Sequence, residues 1–259
     1  MPMRLLATLA AALLVACSHN PATGRRQLLL MSPAQEVAIG KKARGPLIKQ
    51  YGGEVQSQQV RNYVKRVGDA LLPGIEGQYR EFPWTFTALN SDEINAFSLP
   101  GGQVFITKGL LLKLRSEAEL AAVLGHEIGH VTAQHHDERL SHANVLNTAS
   151  AVLAQGSGNA PAISQIVNAA GGGYLLRFSR DQEMEADDLG VRYIDRAGYW
   201  TPTMILILRV LDEGPHPPEV FSTHPLPKSR INRLQGIVPI PENRPQDAQY
   251  RKAVLDQLN

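Results

Sequence analysis

His126-Glu127-Ile128-Gly129-His130 is the stretch on which the reading of this chain turns. It has the form HExxH and lies in a helix-forming run from Ser116 to about His136. Histidines four apart share one helical face, one turn above the other. That spacing lets two imidazoles grip a single Zn²⁺ and leaves the glutamate between them to address a water on the metal. A bare HExxH also fits a charged helix face with two solvated histidines. The flanks favour the metal. Ser116 followed by Glu119 has the pattern of a capping box, which gives the helix a defined start. Ala118, Leu120, Ala121, Ala122, Val123, Leu124 and Ile128 make its early part apolar, and histidines in a buried helix need partners. Gly125 and Gly129 each weaken the helix by roughly 1 kcal/mol relative to alanine. Their missing side chains predict that another element packs closely on that face.

A catalytic zinc takes three protein ligands and keeps one place open. Two candidates compete for the third. The nearer is His136, since His126-Glu127-xx-His130-xx-Ala133-xx-His136 approaches the pattern HExxHxxGxxH. That pattern needs glycine where the backbone turns back after the helix, and here Ala133 is a helix former. If the helix continues, His136 points away from the metal. The other candidate lies in Ser179-Arg180-Asp181-Gln182-Glu183-Met184-Glu185-Ala186-Asp187. Glu183 and Asp187, four apart, share a face. Glu183 completes a His₂Glu site, and Asp187 accepts the second ring N–H of a ligating histidine. Glu185 points roughly the opposite way and is the weaker ligand. An acidic, solvated helix face is the competing reading. His135, His136, His142 and His216 are expected at the surface.

The chain has 259 residues, 26 Lys and Arg against 24 Asp and Glu, and a formal net charge of +2. No basic stripe with interleaved aromatics appears, so no nucleic-acid partner is expected. Met1-Pro2-Met3-Arg4 and the apolar run Leu5 to Val15 read as a signal peptide over 1–16, too short for a membrane anchor. Leu14-Val15-Ala16-Cys17 resembles the bacterial lipobox, in which the cysteine carries a lipid. Cys17 is the single cysteine, which excludes an internal disulfide. An ordinary signal peptide with a chance cysteine is the alternative. Ser18 after the cysteine favours the outer membrane, on its periplasmic face. Residues 17–31 then form a lipidated tether, and 32–259 a single domain.

Ser32-Pro33-Ala34-Gln35 starts a helix that runs to about Gln50 and stops at Gly52-Gly53. A second helix, about Glu54 to Leu72, aligns Val60, Val64, Val67 and Leu71. Trp84 to Leu89, Ile94 to Ser98 and Gln103 to Thr107 read as strands, and Lys108 to Leu114 as a short helix or turn. Residues Ala143 to Gly173 read as two loosely specified helices around a loop, or as a membrane-touching hairpin. Ser179 to Ala197 is a helix with a capping box at Ser179 and Gln182. Pro202 to Glu213 is an apolar core helix. Gly214 to Pro227 is a proline-rich loop, and Lys228 to Gln235 and Gln246 to Leu258 are helical. The fold class is α+β: mainly helical, with a small antiparallel sheet beside the metal helix.

The pairing of His126-Glu127-Ile128-Gly129-His130 with Ser179-Arg180-Asp181-Gln182-Glu183-Met184-Glu185-Ala186-Asp187 resembles peptidase family M48. Asn95-Ala96-Phe97-Ser98-Leu99-Pro100-Gly101-Gly102 resembles that family's strand and turn before the metal helix. Thr223-His224-Pro225 followed by Arg230 resembles a late segment, and Asn20 to Arg26 resembles the start of its Oma1-like bacterial lipoproteins. The resemblance implies a gluzincin-type zinc metalloprotease with one Zn²⁺ per chain on His126, His130 and Glu183. Glu127 acts as the base, and Asp187 stands behind a ligand. It nominates His224 and Arg230 as donors to the tetrahedral oxyanion, with His224 alternatively ligating the metal in a resting state. An extended substrate would add to the edge of Ile94, Asn95, Ala96, Phe97 and Ser98. The implied substrates are unfolded or damaged cell-envelope polypeptides, and outer-membrane assembly factors are the implied partners. The alternative is a zinc-stabilised assembly scaffold with little proteolysis, against which the presence of Glu127 counts.

Overall fold

The computed structural model describes residues 17–142, 178–212 and 227–258. Helix α1 (Pro33–Gln50) begins with the capping box read from Ser32 and Gln35. Helix α2 (Gln58–Leu71) starts later than Glu54 because the Ser57 hydroxyl supplies its cap, accepting the Val60 N–H. Val60, Val64, Val67 and Leu71 are all fully buried.

Strands β3 (Thr85–Leu89), β4 (Ala96–Leu99) and β5 (Gln103–Thr107) form a sheet in the order β3-β5-β4. The sheet is mixed, a correction to the antiparallel one expected. The chain reverses after β3 and again after β4, so β3 and β5 run the same way. Strand β5 then enters between the other two, antiparallel to β4 and parallel to β3. Gly101 and Gly102, both at positive φ, make the second reversal. Central β5 is apolar on both faces. Val104 and Ile106 join the main core, while Phe105 meets Leu47 of α1 in a smaller one.

The short helix α3 (Lys108–Leu111) leads into α4 (Glu117–Thr132), the HExxH helix. Ser116 caps the Glu119 N–H, but the Glu119 carboxylate takes the N–H of Arg115 instead of Ser116, so the box is half formed. Helix α5 (Arg180–Arg196) carries the capping box expected at Ser179 and Gln182. Glycines bring α4 and α5 together. A Cβ on Gly129 would lie 2.8 Å from the Ala186 carbonyl oxygen, and one on Gly125 would lie 3.1 Å from Ile194. Gly190 answers from α5, where a Cβ would lie 3.1 Å from the His126 nitrogen. This contact is the close packing that Gly125 and Gly129 predicted. Helices α6 (Thr203–Asp212) and α7 (Pro227–Leu234) and a helical run over 248–258 complete the described fold. Among the described residues no helix is long and apolar enough to cross a membrane. Residues Ala143 to Gly173 lie outside the described part.

Two sequence expectations fail here. Residues 17–31, expected as a tether, instead fold onto the domain. Strands β1 (Cys17–His19) and β2 (Arg26–Leu28) form a hairpin. Within it Asn20 is buried and donates to the Thr132 carbonyl at 3.0 Å. The HExxH helix does not run to His136. It ends at Thr132, and Gln134 adopts a left-handed φ of 55°. A new helix begins at 135. Three partners hold that turn: Asn20, Tyr79 and Glu36 all reach the Gln134 amide. Burial pushes the Glu36 carboxyl up to about 8, against the opposing hydrogen bond from Gln134.

Candidate metal centre

His126, His130 and Glu183 converge. Their ligand atoms all lie within 4.8 Å of one another, and all three residues are buried. The two histidine Nε2 atoms are 3.1 Å apart. Each is 3.5 Å from a Glu183 oxygen, His126 from Oε2 and His130 from Oε1. A tetrahedral cation with ligand bonds of 2.0–2.2 Å separates its ligand atoms by roughly 3.3–3.6 Å. The donor set therefore fits a divalent metal such as zinc, with two imidazole nitrogens and one carboxylate and nothing softer. The i, i+4 spacing on α4 supplies the histidines, and the glycine contact brings Glu183 of α5 opposite them.

Each imidazole is held from behind. His126 Nδ1 lies 3.0 Å from Asp187 Oδ1. Burial works against charge on His126, but Asp187 and then Glu183 outweigh it and hold the imidazolium up to about 9. Asp187 is itself clamped: Arg230 Nε and Nη2 donate to its two oxygens at 2.8 and 2.6 Å. Burial favours the neutral acid there, yet Arg230 and His126 keep the carboxyl below its ordinary value. The remaining guanidinium nitrogen, Nη1, lies 2.7 Å from Glu183 Oε2. All three guanidinium nitrogens of Arg230 are thus engaged by the metal-side carboxylates. The residue expected to donate to the oxyanion stands as the anchor of Glu183 and Asp187.

On the other side His130 Nδ1 lies 2.9 Å from His135 Nδ1, and His135 Nε2 lies 2.9 Å from Glu185 Oε2. Burial pushes the His135 pKa down, against Glu185. A neutral His135 with its proton on Nε2 donates to Glu185 and accepts from His130 Nδ1–H. That tautomer leaves the His130 Nε2 lone pair facing the other ligands. Glu185 is held in turn by Arg25, which also grips Glu138. Arg25 comes from the hairpin loop of the segment expected to be a tether.

His135 and His136 were expected at the surface, and both are buried. The left-handed turn at Gln134 folds the chain back under α4 and returns both rings to the site. His136 does not join the ligands. Its Nε2 lies 3.2 Å from the Ser98 hydroxyl, which donates to Glu127 Oε2 at 3.1 Å. Phe178 stacks on the His130 ring, with centroids 3.7 Å apart. Nothing in the local sequence marked Ser98 as a partner of Glu127, or Phe178 as a lid on His130. His142 is exposed, as expected. His216 and His224 lie outside the described residues. Cys17 lies in β1, opposite Leu28.

The segment Ile94 to Ser98 is shorter as a strand than expected, beginning at Ala96. Among the described residues β4 pairs on one side only, with β5. Ile94, Asn95 and Ala96 line a cleft that ends at His126 and Glu127. Phe97 and Ser98 are covered.

A family model described as peptidase family M48 matches residues 58–238. A β-barrel assembly-enhancing protease of Yersinia pestis is 30% identical over 245 residues, 86% of this chain and 48% of the relative. The protease of the same name from Escherichia coli K12 is 31% identical over 188 residues, 66% of this chain and 38% of the relative. A mitochondrial metalloendopeptidase, OMA1, of Schizosaccharomyces pombe is 28% identical over 227 residues, 85% of this chain and 66% of the relative. The chain thus spans less than half of the two bacterial proteins.

Proposed function

Because the chain belongs to peptidase family M48, we propose that it is a zinc-dependent endopeptidase with one Zn²⁺ on His126, His130 and Glu183. The observation that carries this reading is the meeting of those three ligand atoms beside Glu127, at the end of an open cleft. His126, His130 and Glu183 would hold the Zn²⁺, which would supply a Lewis acid for the scissile carbonyl and the attacking water. Glu127 takes the proton from that water and delivers it to the leaving amine. Ser98, donating to Glu127 Oε2, fixes the carboxylate. Asp187 and His135 hold the ligand rings, and Arg230 positions Glu183 and Asp187.

An extended substrate lies along Ile94 to Ala96, where the outer edge of β4 meets the cleft. Main-chain pairing tolerates many sequences, which suits unfolded or damaged envelope polypeptides. The names of the two bacterial relatives support a link to β-barrel assembly. The lipobox-like sequence supports a lipid on Cys17 and a site on the periplasmic face of the outer membrane. Since Cys17 pairs with Leu28, such a lipid would hold the domain close to the bilayer, without a leash.

The test is metal content and casein cleavage by the purified chain. Glu127→Gln is expected to keep its zinc and lose turnover by about 10²–10⁴-fold. Glu183→Ala is expected to lose both. Undiminished cleavage by Glu127→Gln overturns the mechanism. Full rescue of an envelope defect by Glu127→Gln transfers the physiological role to a scaffold.

A further inference from the structure

The cleft beside Glu127 has a second property that hydrolysis alone does not require. Its wall away from the metal is apolar. Ala122 and Val123 lie one helical turn ahead of His126 and Glu127, so the lining continues the catalytic face of α4. Opposite, Met204, Ile207, Leu208 and Leu211 of α6 present an i, i+3, i+4, i+7 stripe, and Leu110 joins them. The cavity is narrow, about 50 Å³. That is room for roughly four water-sized groups.

Among the described residues the polar lining is Asn95, His126, Glu127 and Arg230. Of these, Arg230 carries a permanent charge, and Asp187 and Glu183 already oppose it. An acidic side chain entering this slot would lose its hydration and meet a guanidinium whose charge two carboxylates already offset. An aliphatic side chain of leucine or methionine size would exchange water for Val123, Ile207 and Leu208.

We propose that this slot receives one substrate side chain next to the scissile bond, selecting leucine or methionine and rejecting aspartate and glutamate. The proposal rests on the endopeptidase reading above and adds the class of bond cleaved.

The experiment uses the zinc-loaded full chain and quenched fluorescent peptides that differ at one position flanking the cleaved bond, which mass spectrometry locates. Leucine or methionine there is expected to give a kcat/KM at least tenfold above aspartate. Two variants probe the walls. Ile207→Ala enlarges the slot and is expected to move the preference toward phenylalanine. Leu211 is half-buried at the mouth. Leu211→Arg offers an uncommitted cation and is expected to cut the discrimination against aspartate by at least threefold. Each readout is a ratio of two peptides on one preparation, so a partly folded variant still reports.

A wild-type chain that cleaves without apolar preference, or ratios that neither variant moves, overturn the proposal. If the wild-type chain cleaves no peptide, the endopeptidase reading fails. Polarisation binding of the same peptides to zinc-loaded Glu127→Gln then decides the slot separately. Tenfold tighter binding of the leucine peptide than of the aspartate peptide sustains it, and equal binding overturns it.

Discussion

The two metal-facing imidazoles sit one helical turn apart and are braced in different ways. Behind His126 is an ionic cluster: Asp187 touches the ring, and Arg230 clamps Asp187 and Glu183, with all three side chains buried. Behind His130 is a relay: His135, then Glu185, then Arg25, whose side chain is 40% exposed. One brace is closed inside the protein and the other ends in water. The contrast teaches where the site is vulnerable. A buried charge that loses its partner is costly, while a partly solvated ion pair contributes little.

The sharpest break is Asp187→Ala. It leaves Arg230 with one carboxylate in place of two and His126 with no acceptor behind it. We expect a loss of about 3–5 kcal/mol of stability and a metal affinity lower by 10–100-fold, read by thermal melting and metal titration. Gly129→Ala strikes both braces at once, because its Cβ meets the Ala186 carbonyl and pushes α5 from α4. About 1–3 kcal/mol of stability should be lost, with weaker zinc binding in the same titration. His135→Ala removes the acceptor behind His130 but strands no buried charge. We expect metal affinity to fall about tenfold with the melting point lowered less than in Asp187→Ala. Equal losses in those two variants would erase the distinction between the braces. The smallest effect belongs to Arg25→Ala, at most about 1 kcal/mol and reduced further by salt. A large metal defect there would show that the outer end of the relay governs the ring.

The same division separates what the sequence made legible from what it did not. The His126 side follows helical periodicity. His126 and His130, and Glu183 and Asp187, are i, i+4 pairs, and Gly125 and Gly129 announced the partner helix. The His130 side rests on a local conformation with no pattern of its own. Ala133 and Gln134 read as helix, yet the chain turns because Asn20, Tyr79 and Glu36, distant in sequence, capture the Gln134 amide. His135 and His136 therefore read as exposed and are buried. Arg25 read as part of a leash for a related reason. Its partners, Glu138 and Glu185, are far away along the chain, and no spacing rule links them.

The strands behave alike. Their positions followed from apolar runs and turn residues, but their order did not. Hydropathy says which residues leave water, and it carries no information about which strand enters between two others.

By itself the sequence determined the helices, their caps, the two ligand-bearing faces and the chemistry those faces offer. Each of these depends on residues within a turn or two of one another, where backbone geometry fixes the relation. The tertiary structure alone decided the sheet order, the turn after the HExxH helix and the relay from His130 to the N-terminal hairpin. The turn and the relay depend on hydrogen bonds and ion pairs between segments distant along the chain, Asn20 with Gln134 and Arg25 with Glu185 among them, and the sheet order on which strand enters between the other two; these exist only once the chain has closed on itself.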